Sequence, residues 1–243
     1  MKHIVFCSLL FLVSCTASVD KEQANQLTIA LIAHPSFAIT ERLLIETVTS
    51  RMVSACPNED LFGNTGPDVC KKEITALQYF TVGDKTRLFA CIGFPFEGAH
   101  ADVGSNGFIL MEYQNEQWVT LDFLEYQEAD AAQFGEALKF NSPTILGKQA
   151  FCFYSFYDVT FAGDGPYTTL NLFGVILDKI VHFPMGGSGA DSPESEIYHS
   201  TFTIVPSEKN VFDIKKVTEY ESKAARTEIL VYDAQKSVYS VSK

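Results

Sequence analysis

Two periodicities divide the chain. From Thr40 to Ala55 the apolar residues Leu44, Ile45, Val48, Met52 and Ala55 recur three and four positions apart. Glu41, Arg42, Glu46 and Arg51 fall between them, so the stretch is predicted to be an amphipathic helix that Cys56-Pro57 stops. After Cys70 the period shortens to two. Ile74–Val82, Thr86–Phe94, Gly107–Tyr113 and Trp118–Leu124 are strand-like runs of aromatic and β-branched residues. Val82-Gly83-Asp84 and Gln114-Asn115-Glu116 supply turns between antiparallel neighbours. Glu128–Phe140 is expected as a second, short helix presenting Ala131, Phe134, Ala137 and Leu138, with Gly135 weakening it.

Ala150–Phe161 is apolar on both of its alternating faces, which predicts a central strand covered on both sides. Thr168–Ile176 and Lys179–Phe183 follow as a hairpin. Pro184–Glu196, with Gly186, Gly187 and Gly189, is expected as an exposed loop. Tyr198–Val205, Ile214–Glu221, Thr227–Tyr232 and Ser237–Val241 then form a closing meander. Leu27–Ala33 is a short apolar run of open type. The sum is a mainly β (α+β) fold: an antiparallel twisted sheet curled into a sandwich or open barrel, with one or two peripheral helices.

Before these elements comes a different pattern. Lys2 and His3 precede the apolar run Ile4–Val13, which ends at Leu12-Val13-Ser14-Cys15. A charged start, a short apolar stretch and a small residue describe a secretory signal; the stretch is too short to span a bilayer as a helix. Leu12-Val13-Ser14-Cys15 resembles the lipobox of bacterial lipoproteins. That resemblance, confined to the leader, implies that Cys15 is acylated on its sulfur and its new amino terminus. Thr16 in place of Asp at the next position implies onward export to the outer membrane, facing the periplasm. The domain plan is then a signal peptide over 1–14, a tether over 15–26 and one globular β-rich domain over 27–243.

Formal charge is -12, with 30 acidic and 18 basic side chains and no basic cluster. Nucleic acid is therefore excluded as a natural partner, since its phosphates need Lys and Arg. The same balance argues against binding anionic lipid headgroups through the protein surface, leaving the N-terminal lipid as the membrane contact. Cys56, Cys70, Cys91 and Cys152 remain outside the leader and anchor. In an oxidising compartment an even number favours two disulfides. Of three possible pairings, Cys56 with Cys70 flanks one polar loop, and Cys91 with Cys152 joins two strand-like runs.

Candidate chemistry is sparse. Gly186-Gly187-Ser188-Gly189-Ala190 approaches the hydrolase pattern G-x-S-x-G, but ends in Ala190 and is followed by Pro193 where a helix is required. No Lys-Ser or Lys-Thr pair follows these glycines, as a P-loop would need. His34, His100, His182 and His199 stand apart; His100 with Asp102 is the one local metal-like pair. Asp158 and Asp164 are candidate calcium oxygens without EF-hand spacing. No enzyme, cofactor or metal is expected. Acidic residues in loops, namely Glu97, Asp102, Asp164, Asp191, Glu194 and Glu196, are the candidate partner-binding set. In export, tethering, size and acidity the chain resembles immunity lipoproteins that neutralise type VI secretion effectors. The resemblance implies a protein partner, a toxic enzyme whose cleft an acidic edge occludes. An accessory lipoprotein of an envelope assembly or secretion machine is the alternative.

Overall fold

A computed structural model describes residues 28–53, 72–95, 105–127, 138, 140–161, 165–188 and 198–242. Of residues 127, 154–161, 165–170 and 184–188 it describes the backbone course. Among the described residues there is one helix, α1 (Glu41–Thr49), and three antiparallel sheets with no closed barrel. The first sheet runs in spatial order β1 (Ile29–Ile32), β2 (Glu73–Val82), β3 (Lys85–Phe94), β4 (Ser105–Gln114) and β5 (Gln117–Gln127). The second holds β6 (Thr144–Gly147), β7 (Ala150–Phe161), β8 (Gly165–Ile176) and β9 (Lys179–Ser188). The third is β10 (Tyr198–Val205), β11 (Asp213–Tyr220), β12 (Arg226–Asp233) and β13 (Val238–Val241).

Side-chain parity stacks these elements in layers. Phe89 and Cys91 of β3 and Phe108 and Leu110 of β4 face Phe151, Phe153, Phe173 and Val175 of the second sheet. Their alternates Leu88, Ala90, Ile92, Ile109 and Met111 face the other way, against Leu44 and Val48 of α1. On the second sheet, Ala150, Cys152, Leu172, Val181 and Phe183 turn toward Ile214, Leu230 and Tyr232 of the third and Val211 of the β10–β11 connection. The order is helix, sheet, sheet, sheet. Phe108 stacks on Phe173 with ring centroids 4.5 Å apart. Burial of one such phenylalanine is worth roughly 1.5–3 kcal/mol, so the aromatic seam between the first two sheets is the dominant cohesive contact.

β7 lies between β6 and β8 with apolar residues on both faces, as its sequence predicts. Two expectations are corrected, and one strand is added. The helix ends at Thr49, not Ala55, because Thr47, Thr49 and Ser50 bond back to the Leu43, Ile45 and Thr47 carbonyls and Ser50 caps it. Residues Pro184–Ser188, expected as the start of a loop, are the second half of β9 and pair with Ser188 opposite Thr168. β9 is an edge strand, where a proline without an N–H is tolerated, and the register shifts beside Asn171. β6 was not anticipated, since its four residues carry too short a pattern. The predicted helix over Glu128–Phe140 lies mostly outside the described residues.

Candidate functional site

The layers share a direction, which gives the body two poles. At one pole lie the turns joining β2 to β3, β4 to β5, β6 to β7 and β8 to β9, together with the β10–β11 and β12–β13 connections. A seam of hydrogen bonds runs across it. The Ile29 N–H donates to the Lys148 carbonyl at 2.6 Å, Leu177 N–H to the Gln149 carbonyl at 2.9 Å, and Gln149 N–H to the Asn210 carbonyl at 3.4 Å. The Tyr239 hydroxyl donates to the Phe212 carbonyl at 2.8 Å.

The same pole holds a buried ion cluster. Arg87 and Glu112 are cross-strand partners on β3 and β4, 2.8 Å apart and almost wholly buried. Arg87 also reaches Asp178 in the β8–β9 turn, and Lys85 and Gln114 flank Glu112. Burial by itself would raise the Glu112 carboxyl, yet hydrogen bonds from Arg87 and Gln114 and the charges of Arg87 and Lys85 hold it below its ordinary value. Asp122 of β5 grips the same turn through the Ile180 N–H at 2.9 Å. These contacts clamp the second sheet to the first; Arg87 and Glu112 carry the two charges least able to lose a partner.

The opposite pole carries the strand ends Phe94, Ser105, Gln127, Thr144, Phe161, Gly165, Ser188 and Tyr198. Val53, just past α1, is tied there by its N–H to Glu125 at 2.8 Å. It follows from the connectivity that segments 54–71, 96–104, 128–139, 162–164 and 189–197 all join the body at this pole. They contain twelve of the 30 acidic residues and two basic ones, Lys71 and Lys139. Glu97, Asp102, Asp164, Asp191, Glu194 and Glu196 are among them; all six lie outside the described residues, as do Cys15, Cys56, Cys70 and His100. The chain enters β1 at Ile29, at the other pole.

Cys91 and Cys152 do not form the expected disulfide: both are buried thiols. Strand parity is the reason. Cys91 points into the core between the first and second sheets, whereas Cys152 points from β7 into the core between the second and third. Burial pushes the Cys91 thiol up to about 12, only partly opposed by Thr75, so it behaves as a small apolar side chain.

Ser188 is the last residue of β9, opposite Thr168, so its backbone runs in a strand and not in a strand-to-helix elbow. His182 packs flat on Phe173 with centroids 4.5 Å apart and meets Asn171 Oδ1 at 2.8 Å; burial lowers it to about 4. His34 lies edge-on to Tyr79, and His199 is exposed on β10. Among the described residues no cluster of His, Cys, Asp and Glu is arranged to hold a metal ion, and no helix is long and apolar enough to cross a membrane.

Sequence reasoning passed over two features of the first pole. One is the Arg87–Glu112 pair, hidden because its residues are 25 positions apart. The other is an aromatic group in which Phe37 stacks on Tyr113 at 4.3 Å and the Trp118 indole N–H donates to the Phe37 carbonyl at 3.1 Å. The density of aromatics around the Gln114-Asn115 turn was its only signal. No family model, curated protein or solved structure matches the chain.

Proposed function

We propose that this protein is a periplasm-facing lipoprotein acting by protein binding, an immunity or inhibitor protein that occludes a toxic envelope-attacking effector. The observation that carries the reading is the opposition of its two poles. The chain comes in from the lipobox-like leader at Ile29, and the segments holding twelve acidic residues join at the far end. A tether at the first pole would thus hold the acidic end outward, toward the periplasm. Such an end attracts a basic partner quickly and in a salt-sensitive way. Its connecting segments rise from strands locked by the aromatic core, which suits recognition on a rigid scaffold.

The test is genetic and then biochemical. Deleting the gene should leave cells vulnerable to sibling cells that deliver the effector, and restoring it should protect them. Restoration with Glu97, Asp102, Asp164, Asp191, Glu194 and Glu196 changed to Gln or Asn should yield an anchored, folded protein that no longer protects. Loss of an assembly or secretion phenotype without any change in vulnerability would instead favour the accessory role.

A further inference from the structure

We propose that the first pole is a lipid-contact face, resting on the headgroup layer of the membrane to which the chain is tethered. The inference depends on the tethered reading above, and it commits to lipid as the occupant.

Apolar side chains stand exposed at this pole in every sheet layer. Phe37, 38% exposed, lies beside the β4–β5 hairpin; Leu177, 52% exposed, tops the β8–β9 turn; Val238, 40% exposed, follows the β12–β13 turn. Tyr113 and Trp118 are half-buried beneath Phe37. Aromatic rings with one apolar and one polar side favour the membrane–water interface. Leu177 also holds a left-handed backbone, φ 57°, where glycine would sit without strain. An exposed leucine is thus kept at a position that neither packing nor backbone geometry favours.

Charge points the same way. Lys85, Lys148, Lys179, Lys209 and Lys236 are exposed on five of the pole's connections. Glu112, Asp122, Asp213 and Asp233 pair with four of them, and Asp84, Glu116, Asp178 and Glu208 lie on the same connections, so with Arg87 the pole carries six basic and eight acidic side chains and is mildly acidic. Lysine stems lie along apolar surface while their ammonium groups reach outward, and at a headgroup layer these exposed pairs would exchange a carboxylate for a lipid phosphate. Net charge alone opposes contact with anionic headgroups, but it is unevenly distributed: the segments with twelve acidic and two basic residues attach at the far pole, so the less acidic first pole is the one that can turn inward. Finally, residues 16–28 separate Cys15 from Ile29. Fully extended they span at most about 45 Å, so Ile29 and the pole it enters stay within that reach of the anchor.

Trp118 is the chain's one tryptophan and a built-in reporter. The full acylated chain would be reconstituted into phosphatidylethanolamine–phosphatidylglycerol vesicles, with or without bromine on the acyl carbons nearest the headgroups. Contact predicts blue-shifted, bromine-quenched emission, and Phe37→Asp with Leu177→Asp should abolish most of the quenching while the protein still floats with the vesicles. Moving the reporter to the exposed turn, with Trp118→Phe and Leu177→Trp, should give stronger quenching. Protein that floats while both reporters stay unquenched overturns the lipid-contact face and leaves the anchor standing. Protein that does not float, or a Cys15→Ser chain that floats as well as the original, overturns the tether itself. Unquenched reporters together with a dimer in sedimentation would make this pole a contact between copies, which also overturns the proposal.

Discussion

Arg87 shows what one residue carries in this fold. Its guanidinium serves Glu112 on the neighbouring strand and Asp178 on the next layer, and both Arg87 and Glu112 are nearly inaccessible to water. Arg87→Met should leave Glu112 buried without its main partner and cost about 3–5 kcal/mol, read as a lower urea midpoint. Adding Glu112→Leu should restore most of that loss, because two apolar side chains can replace a buried pair. If the double variant is as unstable as the single, the Asp178 clamp and not the buried pair is the important element. The sign of the pH effect follows from the direction of the shift. A carboxyl depressed in the fold stabilises it above the unfolded value near 4.3 and loses that contribution as pH falls through the lower folded value.

His182 acts in a different window. Its folded value near 4 lies below the ordinary value of 6.5, so the fold favours the neutral ring. Stability from this group is full above 6.5 and declines as pH falls toward 4, since the unfolded chain takes up the proton first. His182→Gln keeps a donor for Asn171 but does not titrate. Urea midpoints measured between pH 7 and 4 should decline less steeply in this variant than in the parent chain.

At the scale of elements, the close approach of α1 to the first sheet depends on Gly107. A Cβ there would lie 2.5 Å from a Val48 methyl and 2.8 Å from the Met52 sulfur. Gly107→Val should push the helix outward and cost about 1–3 kcal/mol of overpacking, detectable as a drop in Tm. Val48→Ala in the same chain should recover part of it. The helix itself was legible from Leu44 and Val48 at a four-residue spacing, as were the hairpins around Gly83 and Asn115. What escaped was information that needs a third dimension. Pro184 breaks a strand in general but not at a sheet edge, and Cys91 and Cys152 look alike until the parity of their strands sends them into different cores. The candidate acidic residues could be picked out by type. That their segments share one pole became visible only from the register of the strands that carry them.

At the scale of the whole molecule, the segments that carry most of the net charge attach at one end, and that makes a prediction independent of any partner. Segments 54–71, 96–104, 128–139, 162–164 and 189–197 carry twelve acidic residues against two lysines, and all attach at the same pole. Like charges on segments with a common point of attachment are expected to repel one another in the folded chain and to relax when it unfolds, which would penalise the native state at low ionic strength. Salt shortens the reach of that repulsion, from a Debye length of about 30 Å at 0.01 M to about 10 Å at 0.1 M. Tm should therefore rise as sodium chloride is added over this range. The Arg87–Glu112 pair is buried and screened much less, so it should not reverse the trend. Changing Glu97, Asp102, Asp164, Asp191, Glu194 and Glu196 to Gln or Asn removes half of the acidic residues in these segments and should raise Tm in low salt while flattening its dependence on salt. A parent chain whose Tm is indifferent to salt would mean that these carboxylates lie too far apart to repel, and would remove the concentrated negative field on which attraction of a basic partner depends.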